Sequence, residues 1–464
     1  MVDLSKYKNI HCIGIGGIGL SAIAEILLSR GYGVSGSDMK ESEITMNLAK
    51  KGARIFIGHA AENVENADLL VYSAAVGKDN PEIVRAAERG IEAVSRAEIL
   101  GVLMDEYESS IAVSGTHGKT TTTSMISLIL DQAKLEPTIL VGGNLTEIGG
   151  NVKVGNSQYF ITEACEYMDS FLSLRPKIEI ILNIDSDHLD YFKDIDHIVS
   201  SFDKFAGLVP EAGTIIAYDA NPFVNKVIQG YNNVITFGLN ENCSYYVTDI
   251  MFNENGMPSF NVHHDGQLLT KVQLAVPGEH NILNALAAFT CGHTLGVEAE
   301  TIRKTLESYH GTQRRFDIVG TTKKGVKIVD DYAHHPTEIK ATLSASQNVP
   351  HNKLWCIFQP HTYTRTMALF DEFAEAFEKT DKLILAEIYA AREKNIHKIS
   401  SKELAAEIQK VNPGKLVCYF ADLEEMSNFV LNNASENDLV ITMGAGDIYK
   451  AAEMILEKDR AKNK

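Results

Sequence analysis

Paired cysteines are missing from this 464-residue sequence. Its six cysteines (Cys12, Cys165, Cys243, Cys291, Cys356 and Cys418) are scattered, with no C-x-x-C pair and no short ligand spacing. That argues against a cysteine zinc site or a disulfide framework and leaves buried thiols in a reducing compartment. Positive charge is in deficit: 43 Lys and Arg stand against 61 Asp and Glu, for a formal net charge of −18. Such a surface repels phosphate backbones and acidic lipid, so neither nucleic acid nor a membrane surface is an expected partner. A small anionic ligand in a locally positive pocket stays possible. No apolar run reaches the ~18 residues a spanning helix needs. The segment MVDLSKYKNIHCIG also lacks a basic stretch followed by an apolar signal core, so the expected location is the cytoplasm. Repeats, low-complexity tracts and long linkers are absent too.

What is present is an ordinary globular composition, 45% hydrophobic and 22% charged, in a chain too long for one compact core. Short apolar runs alternate with helix-like segments. KNIHCIGIG, the amphipathic LSAIAEILLSRG and GVSGSD open a βαβ rhythm, which implies a parallel sheet with right-handed crossovers. The rhythm restarts at SIAVSG, runs through YFITEACE and IEIILNID, and closes with a strand and a long apolar helix in LLTKVQLAVPGEHNILNALAAFTCGHTLG. A third set follows from GVKIVDDYA through KLWCIFQP and DKLILAEIYAA to DLVITMGAG. The expected class is α/β in three domains: a Rossmann-like unit at 1–107, a P-loop-type unit at 108–313 and a second Rossmann-like unit at 314–464.

Four groups of residues carry chemistry. Gly14-Ile-Gly16-Gly17-Ile-Gly19 follows one strand and opens a helix, where glycines let the backbone approach a diphosphate seated on free N–H groups. Asp38 ends the next strand, as a ribose-binding carboxylate would in a dinucleotide fold. Gly115-Thr116-His117-Gly118-Lys119-Thr120 lies between an apolar strand and a helix. There Lys119 would reach terminal phosphates and the Thr120 hydroxyl would bind Mg²⁺, although Val113 replaces the first glycine of a standard Walker loop. Glu163 and His188 stand at strand ends of the same unit, where ligands of open α/β sheets collect. The neighbouring Asp185, Asp187 and Asp190 also read as a solvated acidic turn. Last, Arg314 and Arg315 suit charge developing on a transferred phosphate. Asp330-Asp331-Tyr332-Ala-His334-His335-Pro336 invites a metal or acid–base reading, or a polar turn before a helix, and Gln359-Pro-His361-Thr362-Tyr363-Thr364-Arg365 adds a cation.

In this order, GIGGIG, GTHGKT, EACEYMDSF, NIDSDHLDY, GEHNILNALAA, GTQRRFD, DDYAHHP and QPHTYTRT resemble the Mur ligases, from about residue 9 to about residue 450. The combination of DDYAHHP with RRF and PHTYTRT resembles the branch that joins L-alanine to UDP-N-acetylmuramate. The resemblance implies an ATP- and Mg²⁺-dependent ligase of peptidoglycan precursor synthesis, acting through an acyl phosphate as a monomer or weak homodimer. It implies a UDP-sugar site at Gly14, Gly16, Gly17, Gly19, Asp38 and Ser73. ATP would be held by Gly115 to Thr121, His280, Asn281, Asn284, Arg314 and Asp331, and Mg²⁺ by Thr120, Glu163 and His188. The amino acid would meet Tyr332, His334 and Arg365, and catalysis would fall to Lys119, His188, Arg315, His334 and Arg365. Relatives often carry arginine where Thr362 stands, which shifts the alanine carboxylate towards Arg365. Lys204 reads as a helix-surface lysine rather than a carbamylated metal ligand. Other readings stay open: a tripeptide-recycling ligase on the same scaffold, a non-catalytic nucleotide sensor, or an NAD-dependent dehydrogenase built on the first loop and Asp38.

Overall fold

The computed structural model describes residues 2–73, 76–391, 393–396 and 398–461. The chain forms three sheets and divides into two compact units, 1–115 with 122–183 and 199–236, and 116–121 with 184–198 and 237–464. Positions 107 and 313, the expected domain limits, both fall in loops between elements.

In the first unit, β1 (Asn9–Ile13), α1 (Ile18–Ser29), β2 (Gly33–Asp38), α2 (Glu43–Lys50), β3 (Arg54–Ile57), β4 (Leu69–Tyr72), α3 (Pro81–Arg89), β5 (Glu92–Ser95) and α4 (Arg96–Asp105) alternate. The sheet order is β3-β2-β1-β4-β5, all parallel. Local chemistry starts the helices: Ser42 with Thr45 and Ser95 with Glu98 form capping boxes, and Pro81 sits at the start of α3.

The second sheet begins with β6 (Ser109–Ser114), followed by α5 (Lys119–Gln132), β7 (Thr138–Leu145), β8 (Gly150–Lys153), β9 (Tyr159–Glu163) and β10 (Ile178–Ile181). Then come α6 (Ile195–Ala206), β11 (Thr214–Tyr218), α7 (Pro222–Ile228) and β12 (Val234–Gly238). Within the first unit β6 lies between β10 and β9, parallel to both, so its carboxyl end opens where strand order switches direction. The expected alternation does not describe the whole sheet. β7 and β8 form an antiparallel pair. In the second unit β13 (Tyr245–Phe252), β14 (Pro258–His264) and β15 (Gln267–Gln273) form an antiparallel meander. Asp265 and Gly266 turn between β14 and β15 with φ of 47° and 80°, the two positive angles a type I′ hairpin demands.

The second unit continues with α8 (Glu279–Thr294), α9 (Ala299–Ser308), β16 (Asp317–Thr321), β17 (Lys327–Asp331), α10 (Pro336–Ser346), β18 (Leu354–Phe358), α11 (Tyr363–Ala368), β19 (Lys382–Ala386), β20 (Leu416–Phe420) and β21 (Leu439–Met443). The third sheet runs β16-β17-β21-β18-β19-β20, parallel apart from the β16 edge. Every residue of β18 and β21 is buried, as expected of strands covered on both faces. All six cysteines are free, four of them buried. Among the described residues no helix is long and apolar enough to cross a membrane.

Candidate active site

The first glycine loop is built by the strand end behind it. Gly14 and Ile15 donate to the Ser37 carbonyl at 2.8 and 3.1 Å, and Gly17 donates to the Gly14 carbonyl at 3.1 Å. Gly16 donates to Asp38 Oδ2 at 2.9 Å. A Cβ at Gly16 would lie 2.8 Å from that oxygen and displace the Asp38 carboxylate from the loop. Asp38 therefore turns an oxygen to the loop itself, the carboxylate on which the dehydrogenase reading depended. A cavity of about 340 Å³ opens here, lined by Gly14, Gly17, Gly19, Ser73, Arg96 and Glu163 among others. Arg96 was not singled out from sequence. It follows the Ser95 cap at the first position of α4, and its guanidinium would lie 2.9 Å from a Cβ at Gly19. The capping-box spelling S-R-A-E was the available signal for the helix start, though not for the cation.

Glu163 ends β9, and its Oε1 accepts the Gly142 N–H at 2.6 Å. Its carboxylate forms part of the wall of the glycine-loop cavity. Lys204 is exposed on α6, as a surface lysine would be.

The second loop leaves β6 at Gly115, with φ of 133°; a Cβ there would meet Leu182 at 3.0 Å. Gly118 also has a positive φ, of 86°. Lys119 Nζ donates to the Thr116 carbonyl at 3.0 Å, while the Thr116 hydroxyl accepts the Asp185 N–H at 2.9 Å. Arg315 reaches the Thr120 hydroxyl at 3.4 Å, its guanidinium 5.1 Å from the centre of the Tyr332 ring. The expected arginine pair is thus split. Arg314 bonds Asp330 Oδ2 at 2.9 Å and the Gly444 carbonyl at 2.7 Å, and lies between the rings of Tyr332 and Tyr449. It holds the start of the third sheet; Arg315 is the one at the phosphate loop.

The acidic turn is only partly solvated, which corrects the bland reading of it. Asp190 is exposed, but Asp187 is buried and pairs with Arg365 at 3.0 Å. Arg365 and His188 hold the Asp187 carboxyl well below its usual range, although burial alone would raise it. His188 follows with φ of 54° and a half-buried ring. Asp185 Oδ2 lies 3.1 Å from His117 Nε2 and accepts the Thr337 hydroxyl at 2.8 Å.

His117, Asp185 and His335 offer ligand atoms within 4.8 Å of one another. Hydrogen bonds account for every ring nitrogen. His117 Nδ1 is 3.2 Å from Glu338, and with Nε2 on Asp185 both nitrogens must donate. Burial opposes the imidazolium, but the two carboxylates outweigh it and raise His117 to about 9. His335 Nδ1 accepts the Thr337 N–H at 3.2 Å and caps α10, while Nε2 meets the Ser186 carbonyl at 3.0 Å. That is a neutral tautomer, in keeping with a pKa lowered by burial. His334 is neutral as well: burial lowers it to about 3, and Nδ1 contacts the Tyr332 carbonyl at 2.9 Å. Both histidines of the DDYAHHP segment are thus neutral, and both nitrogens of His335 are taken up by the α10 cap and the Ser186 carbonyl.

Around the remaining positions, Asn281 donates to the Pro277 carbonyl at 2.7 Å and Asn284 to Asn281 Oδ1 at 3.0 Å, both buried at the start of α8. His280 is exposed beside Gly278. Asp331 turns its two oxygens to the N–H groups of Ala333 and Phe316, and burial raises it to about 6. Taken one by one, Thr120 and Glu163 carry hard oxygen donors and His188 an imidazole, donor types that divalent cations accept. Glu163 belongs to the first unit, Thr120 and His188 to the second.

Three family models cover most of the chain: "Mur ligase family, catalytic domain" at residues 9–108, "Mur ligase middle domain" at 113–292 and "Mur ligase, glutamate ligase domain" at 314–446. The chain belongs to the Mur ligase family. It is 51% identical to a UDP-N-acetylmuramate–L-alanine ligase from Acetivibrio thermocellus, over 98% of this chain and 97% of the relative. Among solved structures it resembles the UDP-N-acetylmuramate–alanine ligase of Thermotoga maritima, at 29% identity and a TM-score of 0.83 over 98% of this chain and 100% of that one. A murein peptide ligase from Psychrobacter arcticus shares the fold, at 24% identity and a TM-score of 0.74 over 97% and 98% of the two chains.

Proposed function

We propose that this Mur ligase joins L-alanine to the carboxylate of UDP-N-acetylmuramate with hydrolysis of ATP to ADP and phosphate, in the cytoplasm, for peptidoglycan synthesis. One observation carries the reading in the geometry. Glu163, a carboxylate of the ATPase domain, forms a wall of the cavity that also holds the Gly14–Gly19 loop, Ser73 and Arg96. A substrate seated there by its diphosphate would lie against Glu163, one of the proposed Mg²⁺ ligands. Near-full-length likeness to the Acetivibrio ligase supports the choice of acceptor.

A carboxylate carbon is a poor electrophile, so amide formation needs a leaving group. The muramate carboxylate attacks the γ-phosphorus, ADP departs and an acyl phosphate forms. The alanine amine then attacks the acyl carbon, and phosphate leaves from a tetrahedral intermediate. Lys119 and Arg315 offset negative charge on the transferring group, and alignment with electrostatics supplies most of such catalysis. Thr120, Glu163 and His188 would hold Mg²⁺, which would supply Lewis-acid neutralisation of the phosphates. Arg96 and the helix start at Ile18 would hold the diphosphate of the UDP substrate. Gly115 to Thr121, His280, Asn281 and Asn284 would frame ATP, with Asp331 and Arg314 acting as supports rather than contacts. Tyr332, His334 and Arg365 would meet the amino acid. With Nδ1 on the Tyr332 carbonyl, His334 keeps Nε2 as an acceptor that orients the ammonium. The domains are proposed to run 1–107, 108–313 and 314–464, in a monomer or weak homodimer.

Phosphate release with Mg·ATP and UDP-N-acetylmuramate, across single amino acids and the tripeptide of wall recycling, tests this directly. Release that requires L-alanine and matches amide product is expected. Release only with the tripeptide would move the chain to the recycling branch, and binding of ATP without release would make it a sensor.

A further inference from the structure

His117 occupies a place in the phosphate loop that phosphate binding does not require. A loop of this kind binds through backbone N–H groups, a lysine and a hydroxyl, here Lys119 and Thr120. The imidazole of His117 instead bridges two carboxylates from two other elements. Nε2 is 3.1 Å from Asp185 Oδ2, in the turn that carries His188, and Nδ1 is 3.2 Å from Glu338 Oε1, in the first turn of α10. The same elements are tied to each other without it. Thr337 Oγ1 donates to Asp185 Oδ2 at 2.8 Å, and His335 Nε2 meets the Ser186 carbonyl at 3.0 Å. Glu338 Oε2 accepts the His334 N–H at 3.1 Å, so the glutamate that holds His117 also fixes the backbone of the DDYAHHP segment.

The geometry points to His117 as a positioning residue that locks the phosphate loop, the Asp185–His188 turn and the amino end of α10 in one register for phosphoryl transfer. Three features support this over a packing role. The ring is bonded at both nitrogens, so its rotation and tilt are determined. Its partners are charged, which gives shorter and stronger bonds than neutral pairs. They also lie 68 and 221 residues away in sequence, joining three segments that each carry residues of the proposed reaction. The lock holds Lys119 and Thr120 on one side, His188 on another and His334 on the third. Misplacement by about 1 Å is enough to cost a large factor in rate without changing how tightly a nucleotide binds.

The inference rests on the ligase reading above, and its test separates the two. Parent enzyme, H117N, E338Q and the double variant are compared in L-alanine-dependent phosphate release, on protein whose thermal midpoint stays within about 3 °C of the parent. Each single variant is expected to lower kcat by about 10- to 100-fold while KM for Mg·ATP moves less than about threefold, the pattern of a group that acts on the transition state through others. The double variant should lose no more than the worse single one, because both break the same lock. A raised KM with unchanged kcat would make His117 a nucleotide contact, and multiplying losses would make the two residues independent; either overturns the proposal. If H117N or E338Q does not fold, T337V removes only an exposed hydroxyl from the same lock. It should lower kcat by about threefold with KM for Mg·ATP unchanged, and a parental kcat in T337V would then overturn the lock. An inactive parent would overturn the ligase reading itself, and this inference with it.

Discussion

The two glycine loops of this chain look alike in sequence and differ in what completes them. The Gly14 loop is satisfied by its own surroundings: Gly14, Ile15, Gly16 and Gly17 all donate to protein acceptors, and Asp38 brings a negative charge up to the backbone. Its cation, Arg96, comes from a helix that begins some 80 residues later. The Gly115 loop carries its own cation in Lys119 and its own hydroxyl in Thr120, and is held from outside by Asp185 and Glu338 through His117. A glycine loop after a strand thus announces a turn and an approachable backbone, but the ligand depends on where the charge comes from. On the proposed reading, the first loop borrows its charge to position a substrate, and the second contains the charge that acts on the reacting group.

The largest expected effect tests the second half of that contrast. Lys119→Ala removes the loop's lysine, the cation not already paired with the carboxylates that hold His117. Turnover should fall by about a thousandfold or more, since charge stabilisation is the main source of rate in phosphoryl transfer. The circular-dichroism spectrum and thermal midpoint should stay those of the parent. Near-parental turnover in folded protein would end the reading of this loop as the catalytic one.

A smaller effect tests the first half. Arg96→Ala should raise KM for UDP-N-acetylmuramate by about 10- to 100-fold, the range for losing one or two charge-assisted hydrogen bonds. The KM for ATP and kcat at saturation should barely change. A fall in kcat with KM unmoved would show that Arg96 serves the chemistry, and the division of labour between the loops would collapse.

How much of this could be read from the sequence follows the same division. Strand–turn–helix order, the two loops and the strand-end position of Glu163 were legible, because local periodicity and glycine placement encode them; His188 instead lies seven residues beyond β10, in the turn that follows it. The meander of β13–β15 was not: its alternation is broken by His263 and His264, and the Asp265–Gly266 turn is a two-residue signal inside a long polar stretch. The partners of His117, Asp187 and Arg314 were also out of reach. Each pairs across distances at which sequence carries no period, and a pair such as His117 and Glu338 forms only once three segments are folded. Nor could sequence say that Arg314 pairs with Asp330 and the Gly444 carbonyl, or that Asp331 turns both oxygens to backbone N–H groups.

Behind each loop lies a buried carboxylate bonded to a serine, and here the contrast is sharpest. Glu82 accepts Ser37 Oγ at 2.6 Å and Asn63 Nδ2 at 2.5 Å, with His59 at 3.2 Å. Burial alone would raise its pKa, but His11, Ser37 and Asn63 reverse that and leave it at about 2. Glu179, in the middle of β10, has Ser114 at 3.0 Å on one oxygen and no hydrogen-bond partner on the other. Burial pushes it up to about 8. Between the ordinary carboxyl pKa and that value the folded chain keeps a proton the unfolded chain has released. Stability therefore falls as pH rises from about 4.5 to about 8 and is level above. Glu179→Gln keeps a neutral amide beside Ser114 and removes the proton linkage. It should match the parent in unfolding free energy near pH 4.5 and exceed it increasingly up to pH 8, by on the order of a few kcal/mol. Glu82→Gln should behave oppositely, losing stability at neutral pH that the parent loses only in strong acid. Parallel pH curves for Glu179→Gln and the parent would mean that Glu179 binds its proton equally in the folded and unfolded chain, and the contrast would shrink to the lowering at Glu82 alone.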